Sequence, residues 1–397
     1  MTDAAGSAPA SDGPLAGLRV VELANLYAGP LVGAMLGDLG ADVVKVEPPE
    51  GEPFRSIVER DPDGGPGVFT LVTRNKRMIA IDDRRPEGVE LLGRLTAVAD
   101  VVVVNQPRPV LERLGCTYET LAARNPRVVM VDVTGWGEGP YEDRGGNGTI
   151  AEAFAGLTEM LRADDGDHGL SAALLGDCLT ALAGTIGTLA ACYWRAVASG
   201  EGQYIEVPMY EAVLTAVAPQ ITGYRPDAPA RDASGLRRSF RTGDGRWVVA
   251  TAYTTAQIGR LLAAVGVDTS GPDHAPGPPT DASILTELVK DWVAGHDLET
   301  VVAAFGEARI PITPMNDVGA VLADPHVRAR GAVVDVDTPT HGRVRVPRPT
   351  PRLHGSPARL PGFAERPLGA DGGAVCAEWL GLDDDEVARL HERGALA

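Results

Sequence analysis

The sequence predicts an α/β fold built on an open parallel sheet, and three observations lead there. Short apolar runs alternate with helical stretches through the first half of the chain. The first two apolar runs bracket one helical segment, the β-α-β arrangement for which parallel pairing and a right-handed crossover are the default. A hairpin signal then appears only beyond a Pro- and Asp-rich break, which marks a second, smaller α+β domain.

Residues 18–23 (LRVVEL) read as a strand, 28–39 as a small-residue helix ended by Gly40, and 42–47 (DVVKVE) as a second strand. A helix over 87–98, a strand over 100–104, helical turns through 110–123 and a strand over 127–133 continue the pattern. From Asp177 a helical stretch runs to about Ser199, followed by a turn at 200–202 and a strand at 203–207. Residues 224–234 (YRPDAPARDAS) form the break. Beyond it lie a hairpin at 241–253 around Asp244–Gly245 and helices near 256–265 and 283–294, with a loop at 270–279 between them. Residues 321–397 carry strand-like runs, a Pro-rich extended section and a last helix at 384–393. The expected organisation is a flexible tail at 1–13, a large domain beginning at 14–224, a small domain at 225–320, and the remainder of the large domain at 321–397.

A net charge of −18 over 397 residues argues against nucleic acid and anionic membrane surfaces as partners. The apolar stretch nearest to a membrane span, 182–198, is broken by Gly, Thr, Trp and Arg and reads as a buried helix. Four cysteines without a CxxC pair, and no basic N-terminal leader, point to a reducing cytoplasm. The seven histidines show no metal-ligand spacing, and neither GxGxxG, GxSxG nor a Walker loop occurs. No metal and no tightly bound cofactor is expected.

Three features invite chemistry. Gly176–Asp177 leads directly into an apolar helix. Asp177 reads as a helix cap, or as a nucleophilic carboxylate on a tight turn; the two roles are compatible. A helix N-terminus favours the ionised form by up to ~1–2 kcal/mol, which makes Asp177 a carboxylate at neutral pH. Such a weak nucleophile suits an acyl group that is already activated, such as a thioester. The basic run Arg74, Lys76, Arg77, Arg84 and Arg85 exceeds Asp82 and Asp83 and invites a phosphate, or is a solvated charged loop. The turn at 28–30 (AGP) follows the first strand, where parallel sheets hold phosphates.

Read in order, the chain resembles the family III CoA transferases, which include formyl-CoA and carnitine CoA transferases and a branch of acyl-CoA racemases. The likeness spans roughly residues 14–397. It rests on PLAGLRVVEL at 14–23, LGADVVKVE at 39–47, NKR at 75–77, ERLG at 112–115, TGWG at 134–137 and GPY at 139–141. Further on it rests on GD at 176–177, GEGQ at 200–203, RIP at 309–311, DPHV at 324–327, ARG at 329–331 and PLG at 367–369.

The resemblance implies a Rossmann-like large domain made from both chain ends, a small domain from the middle, and an interlocked homodimer. It implies that Asp177 is the catalytic aspartate, and that acyl-CoA and a small carboxylic acid are the substrates. It places CoA at Tyr27 and Ala28, Ile81 to Arg84, Asn105 and Arg113, to which the basic run adds Arg74. Departures stand beside these. Tyr27 replaces a catalytic Gln of the formyl-CoA members, Gly148 an acidic residue, and Ala181 a common Gly. Gln106-Pro107-Arg108 replaces a more usual Phe-Arg-Pro or Phe-Gly-Pro. The racemase histidine would fall at Asn147, whose amide cannot take a proton.

Overall fold

A computed structural model of the chain describes residues 13–60, 67–161, 170, 173–226, 235–267, 279–338, 342–358 and 365–397. The expected tail, apart from Gly13, lies outside the described residues, as do 227–234 of the break and nearly all of the loop at 270–279.

Runs of β-branched residues form one six-stranded parallel sheet: β1 (Arg19–Glu22), β2 (Asp42–Glu47), β3 (Lys76–Ala80), β4 (Val101–Val104), β5 (Val129–Thr134) and β6 (Tyr204–Pro208). Their spatial order is 3-2-1-4-5-6, the Rossmann order, with every neighbouring pair parallel. Successive residues feed opposite cores. Val20, Val43, Val101, Val103 and Val131 pack under the helices Ala28–Asp38 and Leu175–Trp194. Val21, Val44, Ile79, Val102 and Met130 pack under Pro86–Ala97, Tyr118–Arg124 and the C-terminal helix Gly372–Leu380. Burial on both faces is why these strands read as apolar runs and not as alternation. The strand order reverses between β1 and β4, the switch point at which such sheets form their ligand crevice, at the carboxyl ends of the strands.

Contacts divide the chain into two units, one of Met1–Thr222 with Gly331–Ala397 and the other of Gly223–Arg330. In the first, the chain end returns to the sheet. Asp371 accepts the Met78 N–H at 2.8 Å, and the Ala397 N–H donates to Ala80 at 3.0 Å. The second holds an antiparallel sheet of Leu236–Arg241, Trp247–Ala252 and Ile312–Pro314, covered by Thr255–Ala264, Ala282–Ala294 and Leu298–Glu307. It runs ten residues past the sequence-based limit of 320 and takes in Val318–Ala323 and Pro325–Arg330.

The helix of Leu175–Trp194 continues as a π-turn, Arg195–Ser199. By length and composition alone this 25-residue segment, with mean hydropathy 1.4, could cross a membrane. One face packs into the core: a Cβ on Gly184 would lie 2.9 Å from Val32, and Thr180, Thr185 and Thr188 turn their hydroxyls back to backbone carbonyls four residues earlier. The opposite face leaves Leu182, Ile186, Tyr193 and Val197 exposed.

Candidate active site

The turn after β1, residues 24–30, sits at the reversal point and is gripped from four sides. Lys45 Nζ donates to the Ala24 carbonyl at 2.9 Å, and Lys76 Nζ to the Pro30 carbonyl at 2.7 Å. Glu52 accepts the Leu26 N–H at 2.8 Å. Asn105, just past β4, accepts the Asn25 N–H at 2.9 Å and returns a hydrogen bond to its carbonyl at 2.8 Å. The lysines are fully buried and are balanced by two buried glutamates. Glu22 pairs with Lys76 at 2.6 Å and Lys45 at 3.2 Å, and Glu52 pairs with Lys45 at 2.9 Å. This network holds Leu26 at φ 67°, a conformation that non-glycine residues rarely adopt. Tyr27 and Ala28 thereby open the first helix at the crevice, with the Tyr27 ring edge-on to Phe54.

The basic run does not form the open cationic patch the sequence suggested. Lys76 and Arg77 belong to strand β3, and their partners come from distant parts of the sequence. Besides Lys76 with Glu22, Arg77 pairs with Asp42 and Glu378, and Arg74 is buried against Asp38 at 2.7 Å. Counting charges along the chain missed these acids, so the phosphate argument for Arg74 loses its basis. Arg84 and Arg113 are different. Both guanidinium groups are half exposed or more at the carboxyl edge. Arg84 meets Asp82 at 2.7 Å and Glu50 at 3.3 Å, and Arg113 meets the Asp83 carbonyl at 2.8 Å. Ile81 offers only backbone, because its side chain is buried in the core and its N–H is bound to Glu47.

Asp177 is not the cap of its helix. The helix starts two residues earlier at Leu175, which makes Asp177 its third residue, and the preceding Leu174 has no capping side chain. The Gly176 N–H is instead bound at 2.8 Å by Glu152, a carboxyl only 4% exposed on the neighbouring helix Gly148–Phe154. That helix and the Asp177 helix meet through glycine. A Cβ on Gly148 would stand 2.0 Å from Asp177 Oδ2, and one on Gly176 would stand 2.5 Å from the Gly148 carbonyl. The Asp177 carboxyl therefore occupies the space a side chain at 148 would need, and with this placement of Asp177 a glycine is required there.

The helix end favours the ionised form of Asp177, and its surroundings act the other way. Burial, with Glu152 beside it, pushes Asp177 up to about 6. It remains mostly ionised at pH 7 and binds a proton more readily than an exposed aspartate. Tyr27 lies within electrostatic reach: burial, Cys178 and Asp177 push its phenol up to about 12, so it stays a neutral O–H donor. Asn147 accepts the Ile150 N–H at 3.1 Å and caps the Gly148–Phe154 helix. Ala181 is fully buried in the core. Glu152 was not singled out in the sequence; one acid among 54 acidic residues gives no signal until the fold sets it beside Gly176.

Comparison with known proteins identifies the family. The profile of CoA-transferase family III matches residues 15–371. Succinyl-CoA–D-citramalate CoA-transferase of Chloroflexus aurantiacus is 31% identical over 394 residues, covering 96% of this chain and 97% of its own. Succinyl-CoA:mesaconate CoA-transferase of Haloarcula hispanica is 32% identical over 349 residues, covering 82% and 86%. A CAIB/BAIF family protein from Brucella suis superposes with a TM-score of 0.77 at 29% identity, covering 92% of this chain and 99% of that one. With its Rossmann-ordered sheet and a profile match over nearly its whole length, the chain belongs to CoA-transferase family III.

Proposed function

We propose that this family III CoA-transferase exchanges CoA between an acyl-CoA and a free carboxylic acid through covalent intermediates on Asp177. The observation that carries the reading is the Asp177 carboxyl itself: half-buried, of raised proton affinity, and placed in the first turn of a helix packed beside the crevice-side turn of β1. Its oxygen attacks the thioester carbonyl and the C–S bond breaks, giving an acyl-aspartyl anhydride and CoA thiolate. The thiolate attacks the aspartyl carbonyl, releases the donor acid and leaves Asp177 as a CoA thioester. The acceptor carboxylate attacks that thioester and frees the thiolate again. The thiolate then takes the new acyl group and regenerates the Asp177 carboxylate.

Each thioester replaces another, so what the protein supplies is positioning and stabilisation of the oxyanions. Tyr27, a neutral donor within reach of Asp177, supports such a role. Arg84 and Arg113 are suited to the phosphates of CoA, with Asn105 holding the turn that carries Tyr27 and Ala28. The named relatives act on succinyl-CoA with citramalate or mesaconate, which makes a small dicarboxylate the first acceptor class to try. The exposed stripe of Leu182, Ile186, Tyr193 and Val197 supports a homodimer in which a second copy covers it.

The test is an exchange assay with succinyl-CoA and a panel of small carboxylic acids, following new acyl-CoA by mass. Formation of a new thioester without ATP or added metal is the expected result. CoA binding with no exchange for any pair would favour a non-catalytic CoA-binding protein, a reading that the substitutions at 27 and 148 keep open. The racemase alternative has no proton acceptor at Asn147, whose amide is occupied as a helix cap.

A further inference from the structure

We propose that Glu152 is a positioning residue for the Asp177 carboxylate, tying the first turn of its helix to the Gly148–Phe154 helix. The proposal rests on Asp177 being the nucleophile. Gly148 and Glu152 are four residues apart and so share one face of a short helix. Gly148 packs against Asp177 and Gly176, while the Glu152 side chain takes the Gly176 N–H at 2.8 Å. The register of that helix is fixed in turn by the Asn147 cap. A helix whose own cap position is a leucine thus receives its acceptor from a neighbour, and that acceptor is a nearly buried acid. An amide would serve equally well as a hydrogen-bond acceptor, so the charge calls for a reason of its own.

The reason lies in what the charge does one residue away. The positive end of a helix lowers the basicity of a carboxylate placed on it and weakens it as a nucleophile. Glu152 occupies a free N–H of that end and adds a negative charge beside it. Among the described residues, the other titratable groups in electrostatic contact with Asp177 are the Cys178 thiol on the same helix and the Tyr27 phenol at the start of the first helix, on which Arg74 also acts. Burial first, and then the Glu152 charge, push Asp177 up to about 6, which leaves it mostly ionised at neutral pH.

The experiment compares wild type, Glu152→Gln and Glu152→Ala in single-turnover reactions with saturating succinyl-CoA between pH 4.5 and 8. It follows the hydroxylamine-trapped adduct on the Asp177 peptide. The amide of Glu152→Gln can still accept the Gly176 N–H, so this variant should fold as wild type and stay within a few-fold of its rate at pH 7.5. The wild-type rate falls as pH drops through about 6; in Glu152→Gln that fall should move to lower pH, towards the ordinary carboxylate range. Ionisation of the thioester's own phosphates is common to both proteins and cancels in the comparison. Glu152→Ala should lose on the order of tenfold or more at every pH, through loss of alignment.

An unchanged acid limb in Glu152→Gln, with normal wild-type labelling, overturns the proposal and leaves the nucleophile intact. Wild-type activity in Glu152→Ala does the same. Absence of the adduct in wild type instead removes the nucleophile reading, and the proposal with it.

Discussion

Two helix starts meet at this site and are held in opposite ways. The turn leading into the Ala28–Asp38 helix is fixed by charge and hydrogen bonds: two lysines, a glutamate and an asparagine grip residues 24–30, and Glu22 balances the lysines beneath. The start of the Leu175–Trp194 helix is fixed largely by what is missing. Gly148 and Gly176 let two backbones touch, and Glu152 adds a hydrogen bond. The first arrangement leaves little freedom to a turn that has only to present Tyr27 and backbone. The second leaves the Asp177 side chain in a narrow space shaped for its carboxyl. Rigidity is placed around the turn proposed to hold CoA, and glycine around the proposed nucleophile.

The comparison can be broken at either end. The largest effect is expected at the glycine contact. Gly148→Asp puts a side chain where the Asp177 carboxyl lies, and transfer should fall by ~10²-fold or more as the nucleophile is displaced. Overpacking should cost about 1–3 kcal/mol of stability, read from chemical denaturation. On the charged side, Lys76→Met strips Glu22 of its nearer partner. Leaving a buried charge uncompensated should cost ~3–5 kcal/mol, seen in the same denaturation curves. Asn105→Ala removes two hydrogen bonds that staple the turn to β4. We expect about 1–3 kcal/mol of destabilisation and a raised KM for acyl-CoA. The smallest effect belongs to the exposed arginines. Arg84→Ala with Arg113→Ala should raise KM for acyl-CoA several-fold at low salt, less at high salt, and leave kcat nearly unchanged.

The sequence was most legible where burial alone decides the structure. Val101–Val104 and Asp42–Glu47 read as strands because both of their faces are covered, and the β1–β2 crossover followed from their spacing. Lys76–Ala80 was obscured because a fully buried lysine looks like surface until Glu22 is set beside it. The Met209–Gly223 helix went unread, with Pro219 inside it and few buried positions to give it a period. Asp177 was singled out as a candidate through its glycine and the apolar helix after it. Its raised proton affinity was not legible, since the causes are burial and Glu152, which lies 25 residues away. Helix starts are visible locally, whereas their electrostatics depend on the fold.

The measurement that bears most directly on the account is peptide mass spectrometry after hydroxylamine treatment of the protein with its acyl-CoA donor, for wild type beside Asp177→Asn. The account predicts a hydroxamate on the Asp177 peptide of wild type and none in the variant, whose exchange rate falls by ~10³-fold or more while acyl-CoA still binds. An adduct on another residue, or full exchange activity in Asp177→Asn, would contradict it.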